Sequence, residues 1–247
     1  VPLAAPLARW DPQSRAMLRG KLGSDGGESD AVMRGPPPPA AMEGAPEGVS
    51  YIADRDMEAG EPISVWCGPQ PNSKLLLNYG IVDDNNPHDR LGINVRLNPD
   101  DELFQAKRLA VQELLGTGST SDFQLYRDAE TPWSPELLPF LRIAMAEDHG
   151  ELSRAHDDVH SQLSDANEAR ARGALASYAS ARLRAYPTTM FEDDDVAQDE
   201  SAPAKRRLVA RLVRIEKATL SRVAALVDGE ADAMEMPAWA PVISAAW

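Results

Sequence analysis

The chain has 247 residues and a formal net charge of −14, from 25 Lys and Arg against 39 Asp and Glu. This length allows one large or two modest domains, and an apolar fraction of 43% is typical of a folded protein. The acid excess argues against nucleic acid as the main partner, no apolar run is long enough for a transmembrane helix, and a single cysteine excludes a disulfide framework. Because the chain starts at Val1, we expect a processed chain or part of a longer one.

The N-terminal part of the sequence predicts short strands, turns and one long loop. Residues 22–48 are rich in Gly, Pro, Ser and Ala, with four consecutive prolines, and cannot form a packed element. Two stretches with β-branched and aromatic residues, at 50–53 and 63–66, predict short strands. A helical turn is predicted at 74–78, ending near Gly80.

The remainder of the sequence predicts helices. Asn98 and Pro99 suit the N-cap and the first position of a helix that runs to Leu115, and Gly116 is its stop signal. Further helices are predicted at 132–146, at 165–185, from a capping box of Thr189 and Glu192, and from 203 to 228. We therefore expect an α+β protein in which short strands precede an all-helical bundle.

Two features could carry metal or nucleophilic chemistry, and each has a simpler structural explanation. His156 and His160 have the spacing of a helical metal pair, but they lack the glutamate of that motif and lie beside acidic, solvent-facing positions. Cys67 has no histidine base near it in sequence, so a buried structural thiol is the better interpretation. We therefore predict no metal site.

One segment has an unusual order of elements, because the strand at 63–66 leads into a Gly-Pro turn, a leucine-rich turn and then Tyr-Gly. Residues 60–80 (GEPISVWCGPQPNSKLLLNYG) resemble the C-terminal half of a SET domain of the Rubisco large-subunit methyltransferase family. Three downstream segments resemble the substrate-binding domain of that family: LLPFLR at 137–142, AYPTT with EDD within 185–194, and the Arg, Glu and Lys of RIEK at 214–217.

The resemblance spans residues 50–228 and implies both a fold and an activity. It implies a partial SET fold at residues 1–90, a helical substrate-binding domain at 91–230 and an apolar tail at 231–247. Members of the family transfer a methyl group from S-adenosylmethionine to a lysine ε-nitrogen of a protein, which must be deprotonated and aligned with the methyl–sulfur bond. Such proteins are commonly organellar, so the resemblance implies a plastid, with the mitochondrion as the alternative.

The resemblance also assigns site residues, position by position. Tyr79 matches the family's second tyrosine, while Gly68 and Asn72 match a glycine and an asparagine near the cofactor. The position of the catalytic tyrosine is occupied by Cys67, whose thiol has neither the reach nor the hydrogen bonding of a phenol. The catalytic assignments are therefore Tyr79 and a Cys67 that does not function as the tyrosine does.

The Asn-His pair that contacts the cofactor in the family is missing. When residues 1–9 are matched to the family's segment, the pair falls at Ala8 and Arg9, and residues 1–71 contain neither Asn nor His. The N-terminal half of the SET domain is also not within these residues. The resemblance therefore favours a degenerate module that needs no cofactor. The alternative is an active S-adenosylmethionine-dependent lysine methyltransferase whose cofactor half lies upstream.

The C-terminal residues 234–247 combine Met, Trp and aliphatic side chains, which are typical anchors of protein interfaces. We expect this tail, the loop at 22–48 and the helical domain to bind a protein partner. The alternative for the tail is that it folds back onto its own domain.

Overall fold

The computed structural model describes the chain continuously over residues 68–227 and again over residues 237–246. Before residue 68 it describes four short strands and three single positions. The chain forms two compact units, which comprise residues 1–70 with 86–88, and residues 71–85 with 89–247.

The first unit contains two strand pairs, one parallel and one antiparallel. The parallel pair joins β1 (Arg9–Trp10) and β4 (Ser64–Val65), and the antiparallel pair joins β2 (Met17–Gly20) and β3 (Val49–Ile52). The strands β3 and β4 correspond to the two strands that the sequence predicts. The predicted loop at 22–48 lies outside the described residues.

Helices form most of the described part of the second unit. They are α1 (Asn72–Tyr79), α2 (Phe104–Leu115), α3 (Leu137–Ala144), α4 (His149–Asp157), α5 (Asp165–Ala185), α6 (Met190–Gln198) and α7 (Ala204–Val227). In the part of the chain that the structure describes, no helix combines the length and the apolar character needed to cross a membrane.

Local capping signals place several of these helices where the sequence predicts them. Helix α5 has the predicted bounds, with Ser164 accepting a hydrogen bond from the Asn167 N–H at its start. The capping box of α6 is confirmed, because the Thr189 hydroxyl accepts from the Glu192 N–H while the Glu192 carboxylate accepts from the Thr189 N–H. Gly80 ends α1 in the left-handed conformation, with φ of 67°.

The start of α2 differs from the prediction. The helix begins at Phe104 because two side chains bond to the backbone just before it: Asn98 Oδ1 accepts from the Asp100 N–H (3.0 Å), and Asp101 Oδ1 accepts from the Leu103 N–H (2.8 Å). Such local bonds stabilise turns in competition with a helix. Asn98 is therefore a turn residue here.

The helical region also contains a small antiparallel sheet that the sequence analysis does not predict. Its strand order is β6 (Thr120–Leu125), β5 (Leu91–Arg96), β7 (Val242–Ala245). Alternate residues of β5 are buried, as expected for a strand with one face on a core. The α+β class itself is confirmed, with a helical region that carries this sheet.

Residues 237–246 fold back onto the second unit, which was the alternative expected for the tail. Strand β7 pairs with β5, and the Asn98 side-chain amide donates to the Ala238 carbonyl (2.7 Å). The ammonium group of Lys107 lies 4.5 Å from the centroid of the Trp239 ring, within cation–π distance. Lys107 is itself buried and forms an ion pair with Asp101.

The hydrophobic core of the second unit draws on β5, β6 and most of the helices. Phe123, Phe140 and Leu175 are among its buried members. Helix α6 contributes no apolar side chain to this cluster among the described residues. Ion pairs also join α6 to α7.

We expect Gly92→Ala to dislodge the C-terminal end of β7. A Cβ atom at Gly92 would lie 2.9 Å from the Ala246 carbonyl oxygen and 3.2 Å from Ala246 Cβ, and a backbone atom cannot move cheaply. Overpacking of this kind costs about 1–3 kcal/mol. Hydrogen exchange at residues 242–246 should become faster, whereas Gly118→Ala, whose nearest contact is 3.5 Å, should leave it unchanged. Unaltered exchange in both variants would contradict the prediction.

Candidate functional site

The residues predicted to act in methyl transfer lie in both units. Ala8 and Cys67 lie outside the described residues. The backbone of Arg9 pairs with Ser64 in the β1–β4 ladder. Gly68, shortly after β4, has φ of 84°, in the left-handed region that favours glycine. Of the predicted cofactor positions in the first unit, Arg9 thus lies in a strand pair and Gly68 adopts a left-handed conformation.

Asn72 has a clear structural role at the start of α1. Its side chain is buried, its Nδ2 donates to the Asp83 carbonyl (2.9 Å), and its Oδ1 accepts from the Asp83 N–H (3.0 Å). Its backbone N–H donates to the Asp89 carboxylate (2.8 Å). Burial raises the pKa of Asp89, and the bond from Asn72 partly offsets that rise. The cofactor role of Asn72 stays a prediction.

Tyr79 is the last residue of α1, and its side chain is 46% exposed. A separation of seven residues places Asn72 and Tyr79 at opposite ends of this helix, about 10 Å apart along its axis. The second unit therefore does not bring these two predicted site residues together.

Asp84 fastens the segment after α1 to the helical domain. Its carboxylate accepts hydrogen bonds from Arg211 Nη2 (2.6 Å) and Arg214 Nη2 (2.9 Å), and its carbonyl accepts one from Arg127 Nη2 (2.6 Å). Burial alone would raise the pKa of the Asp84 carboxyl, but the bond and charge of Arg211 and the charge of Arg214 hold it below its usual value. Arg214 also pairs with Asp194. Arg211 and Arg214 of α7 are thus paired with carboxylates.

Two of the sequence motifs of the helical domain bond to each other. The Tyr186 hydroxyl donates to the Glu216 carboxylate (2.6 Å), and burial together with this bond raises the pKa of the phenol. The ammonium group of Lys217 pairs with Asp193 and donates to the Thr188 hydroxyl (3.0 Å). Both charged side chains of the Lys217–Asp193 pair are buried. These motif residues therefore fasten α6 and its preceding turn to α7.

The third motif, LLPFLR, also ends on a buried charge with protein partners. Arg142 donates to the Glu168 carboxylate (2.6 and 3.2 Å) and to the His160 carbonyl (2.6 Å). Asn167 in turn donates to the Arg142 carbonyl (2.9 Å). The polar residues of all three motifs thus stabilise the fold.

Helix α6 presents an exposed surface that combines apolar side chains and carboxylates. Phe191 and Met190 are exposed there, next to the exposed carboxylates of Glu192 and Asp195. The described residues include no group of three or more His, Cys, Asp or Glu side chains that could hold a metal ion. An apolar and acidic surface of this kind can bind a polypeptide.

Residues 98–220 match the family model described as "Rubisco LSMT substrate-binding". This segment contains all three motifs whose side chains form the ion pairs above. The helical part of the chain belongs to the Rubisco LSMT substrate-binding family. The resemblance of its helical part to that family's substrate-binding domain is thereby confirmed.

Curated relatives of this family member are actin-histidine N-methyltransferases. The one from Callithrix jacchus is 28% identical over 204 residues, covering 77% of this chain and 34% of that protein. The one from Xenopus tropicalis is 30% identical over 182 residues, covering 69% of this chain and 31% of that protein. The chain thus spans about a third of the length of these relatives. The family consists of SET-domain, methyltransferase-like proteins.

Solved structures of Rubisco LSMT share the fold. The structure bound to AdoMet superposes with a TM-score of 0.64 at 20% identity, covering 73% of this chain and 44% of that one. The SET domain of LSMT bound to lysine and AdoHcy gives 0.62 at 21% identity, covering 70% and 41%. In the present chain, both polar atoms of the Asn72 side chain are bonded to the backbone of Asp83. The side-chain polar groups of Asn72 are therefore engaged within the fold.

Proposed function

We propose that this chain is the polypeptide-binding part of a methyltransferase-like protein that no longer transfers methyl groups itself. The observation that carries the proposal is the loss of chemical groups in a chain that keeps its substrate-binding domain. Residues 1–71 lack Asn and His, and Cys67 stands at the position of the catalytic tyrosine. A thiol is a weak hydrogen-bond donor and is much shorter than a phenol.

The same reasoning defines a role. The helical domain retains its internal ion pairs, whereas the SET part no longer transfers methyl groups. The chain therefore acts as a binding subunit. The partner is a protein held by the helical domain and by the loop at 22–48. By family resemblance the complex is organellar, in a plastid or, as the alternative, a mitochondrion.

A second candidate is an active protein N-methyltransferase that takes its S-adenosylmethionine site from sequence upstream of residue 1. It is favoured by the relatives, which are named for methyl transfer to a histidine of actin. The acceptor is then a side-chain nitrogen of lysine or histidine. Either must be uncharged and aligned with the methyl–sulfur bond before it can attack.

Calorimetric titration of the full-length protein with S-adenosylmethionine distinguishes the two candidates. We expect no saturable heat up to about 1 mM cofactor, which corresponds to a binding free energy weaker than about −4 kcal/mol. We expect Cys67→Tyr alone not to restore binding, because the Asn-His pair is still missing. Micromolar binding by the unaltered protein would favour the enzyme, as would transfer of labelled methyl groups to actin.

Polypeptide binding is tested separately, with overlapping peptides of actin and of the Rubisco large subunit. We expect a subset of these peptides to bind the full-length protein whether or not S-adenosylmethionine is present. If none binds at millimolar concentration, the chain is not a polypeptide-binding module. Cofactor-dependent binding would indicate the active enzyme.

A further inference from the structure

Helix α6 begins with an exposed apolar surface. Phe191 is 74% exposed and Met190 is 42% exposed, and Pro187, just before the helix, is also exposed. The other three phenylalanines of the chain lie in the core or pack against it. Burying a phenylalanine side chain is worth about 1.5–3 kcal/mol, so Phe191 gives up a gain that the others obtain. We name Pro187, Met190 and Phe191 the α6 patch.

The α6 patch lies on a rigid support. Met190 and Phe191 lie between the Tyr-Pro-Thr-Thr and the Glu-Asp of their motif. Motif residues on both sides of them are held by hydrogen bonds. Thr189 and Glu192 form the capping box, and the Thr188 hydroxyl donates to Asp193 (2.7 Å). A surface that is already ordered pays less entropy when a partner binds.

The segment that carries the α6 patch is acidic, and the exposed cations Arg184 and Lys205 flank it at its two ends. Residues 185–204 contain six carboxylates and no Lys, Arg or His. Asp193 and Asp194 have cationic partners on α7. In the described part of the chain the other four carboxylates, Glu192, Asp195, Asp199 and Glu200, are exposed and form no ion pair. A backbone hydrogen bond from Thr189 lowers the pKa of Glu192, so this group is ionised at neutral pH.

We propose that the α6 patch docks a basic segment of a partner polypeptide, with an apolar side chain of that segment packed on Phe191. The proposal rests on the proposed polypeptide-binding function and names its surface. Exposed carboxylates on the same segment as an apolar centre, among them Asp195 one helical turn after Phe191, complement Lys and Arg side chains around an apolar anchor. The same charges repel nucleic acid and anionic lipid.

The test uses fluorescence anisotropy of labelled 12-residue peptides against the full-length protein. One peptide alternates Arg and Lys with a central Leu-Phe pair, the second has Glu at every basic position, and the third has Gly-Gly in place of Leu-Phe. We expect only the first to bind well, with an affinity that falls as salt is added. Binding of the Glu peptide at equal affinity would overturn the proposal, as would no binding of the basic apolar peptide.

Matched variants identify the surface. We expect Phe191→Ala and Asp195→Lys each to weaken binding of the first peptide about 10-fold or more. Leu109→Ala removes another exposed apolar side chain, from α2, at 55% exposure, and Glu113→Lys reverses an exposed charge there. Both variants should bind as the unaltered protein does. If all four variants bind alike, the basic segment docks elsewhere and the proposal is wrong, while polypeptide binding itself stands.

Light scattering on the same samples checks the occupant. We expect no self-association that depends on Phe191. If the unaltered protein dimerises and Phe191→Ala abolishes the dimer, a second copy of the chain covers the α6 patch, and the assignment to a basic partner fails. Phe191→Ala must also keep the unfolding midpoint of the unaltered protein, which separates a lost contact from a lost fold.

Discussion

Asp193→Ala is expected to lower the free energy of unfolding by about 3–5 kcal/mol, because it leaves the ammonium group of Lys217 buried without its counter-charge. The two side chains are 3% and 7% exposed. After the substitution, Lys217 keeps its bonds to Thr188 and its contact with the Tyr186 ring, whose centroid lies 5.1 Å from the ammonium group, but no counter-charge. Chemical denaturation followed by circular dichroism measures the loss.

Two further variants test the cause of this loss. Asp195→Ala removes an exposed carboxylate from the same helix and should change the free energy of unfolding by less than about 0.5 kcal/mol. The double variant Asp193→Leu with Lys217→Met should regain most of the stability, because a buried apolar pair avoids desolvation of two charges. A loss under about 1 kcal/mol for Asp193→Ala would mean that Lys217 finds water, contrary to its burial.

This pair explains why two distant segments of sequence carry recognisable motifs. Helix α6 adds no apolar side chain to the described core, and the ion pairs Lys217–Asp193 and Arg214–Asp194 join it to α7. Conservative replacement of a core leucine is tolerated more readily than loss of one member of a buried ion pair. The motif residues therefore position the helix that carries the α6 patch.

Local signals predicted the helices well. Helix α5 starts after a serine cap and ends before Tyr186-Pro187, and both signals are read from adjacent residues. The capping box of α6 is equally local. At Asn98 the same kind of signal gave a wrong helix start, because a side chain that can cap a helix can also stabilise a turn.

Contacts between distant segments could not be read from the sequence. Strand β5 has the alternation Leu91, Ile93, Val95, which is a strand signal, but its partner β7 comes from the far end of the chain. The burial of Lys217 depends on Asp193 in another helix. The exposure of Phe191 is likewise a property of packing, because a phenylalanine at the start of a helix is more often buried.

Phe140→Ala is expected to cost about 3–5 kcal/mol of unfolding free energy, through lost burial and the cavity left behind. Phe140 is 0% exposed, and its ring meets Phe123 edge-on, with centroids 5.4 Å apart and an interplanar angle of 64°. Urea denaturation of the full-length protein gives the difference. A double-mutant cycle with Phe123→Leu and Phe140→Leu should return a coupling of about 0.5–1.5 kcal/mol for the aromatic pair.

Phe191→Ala is the matched comparison, because it removes the same side chain from an exposed position. We expect a change below about 0.5 kcal/mol. Equal losses at the two positions would mean that Phe191 is covered within the folded chain, and the α6 patch would then be unavailable to a partner. A large loss of unfolding free energy for Phe140→Ala and none for Phe191→Ala would mean that Phe191 does not stabilise the fold. Its exposure is then explained by a role in binding.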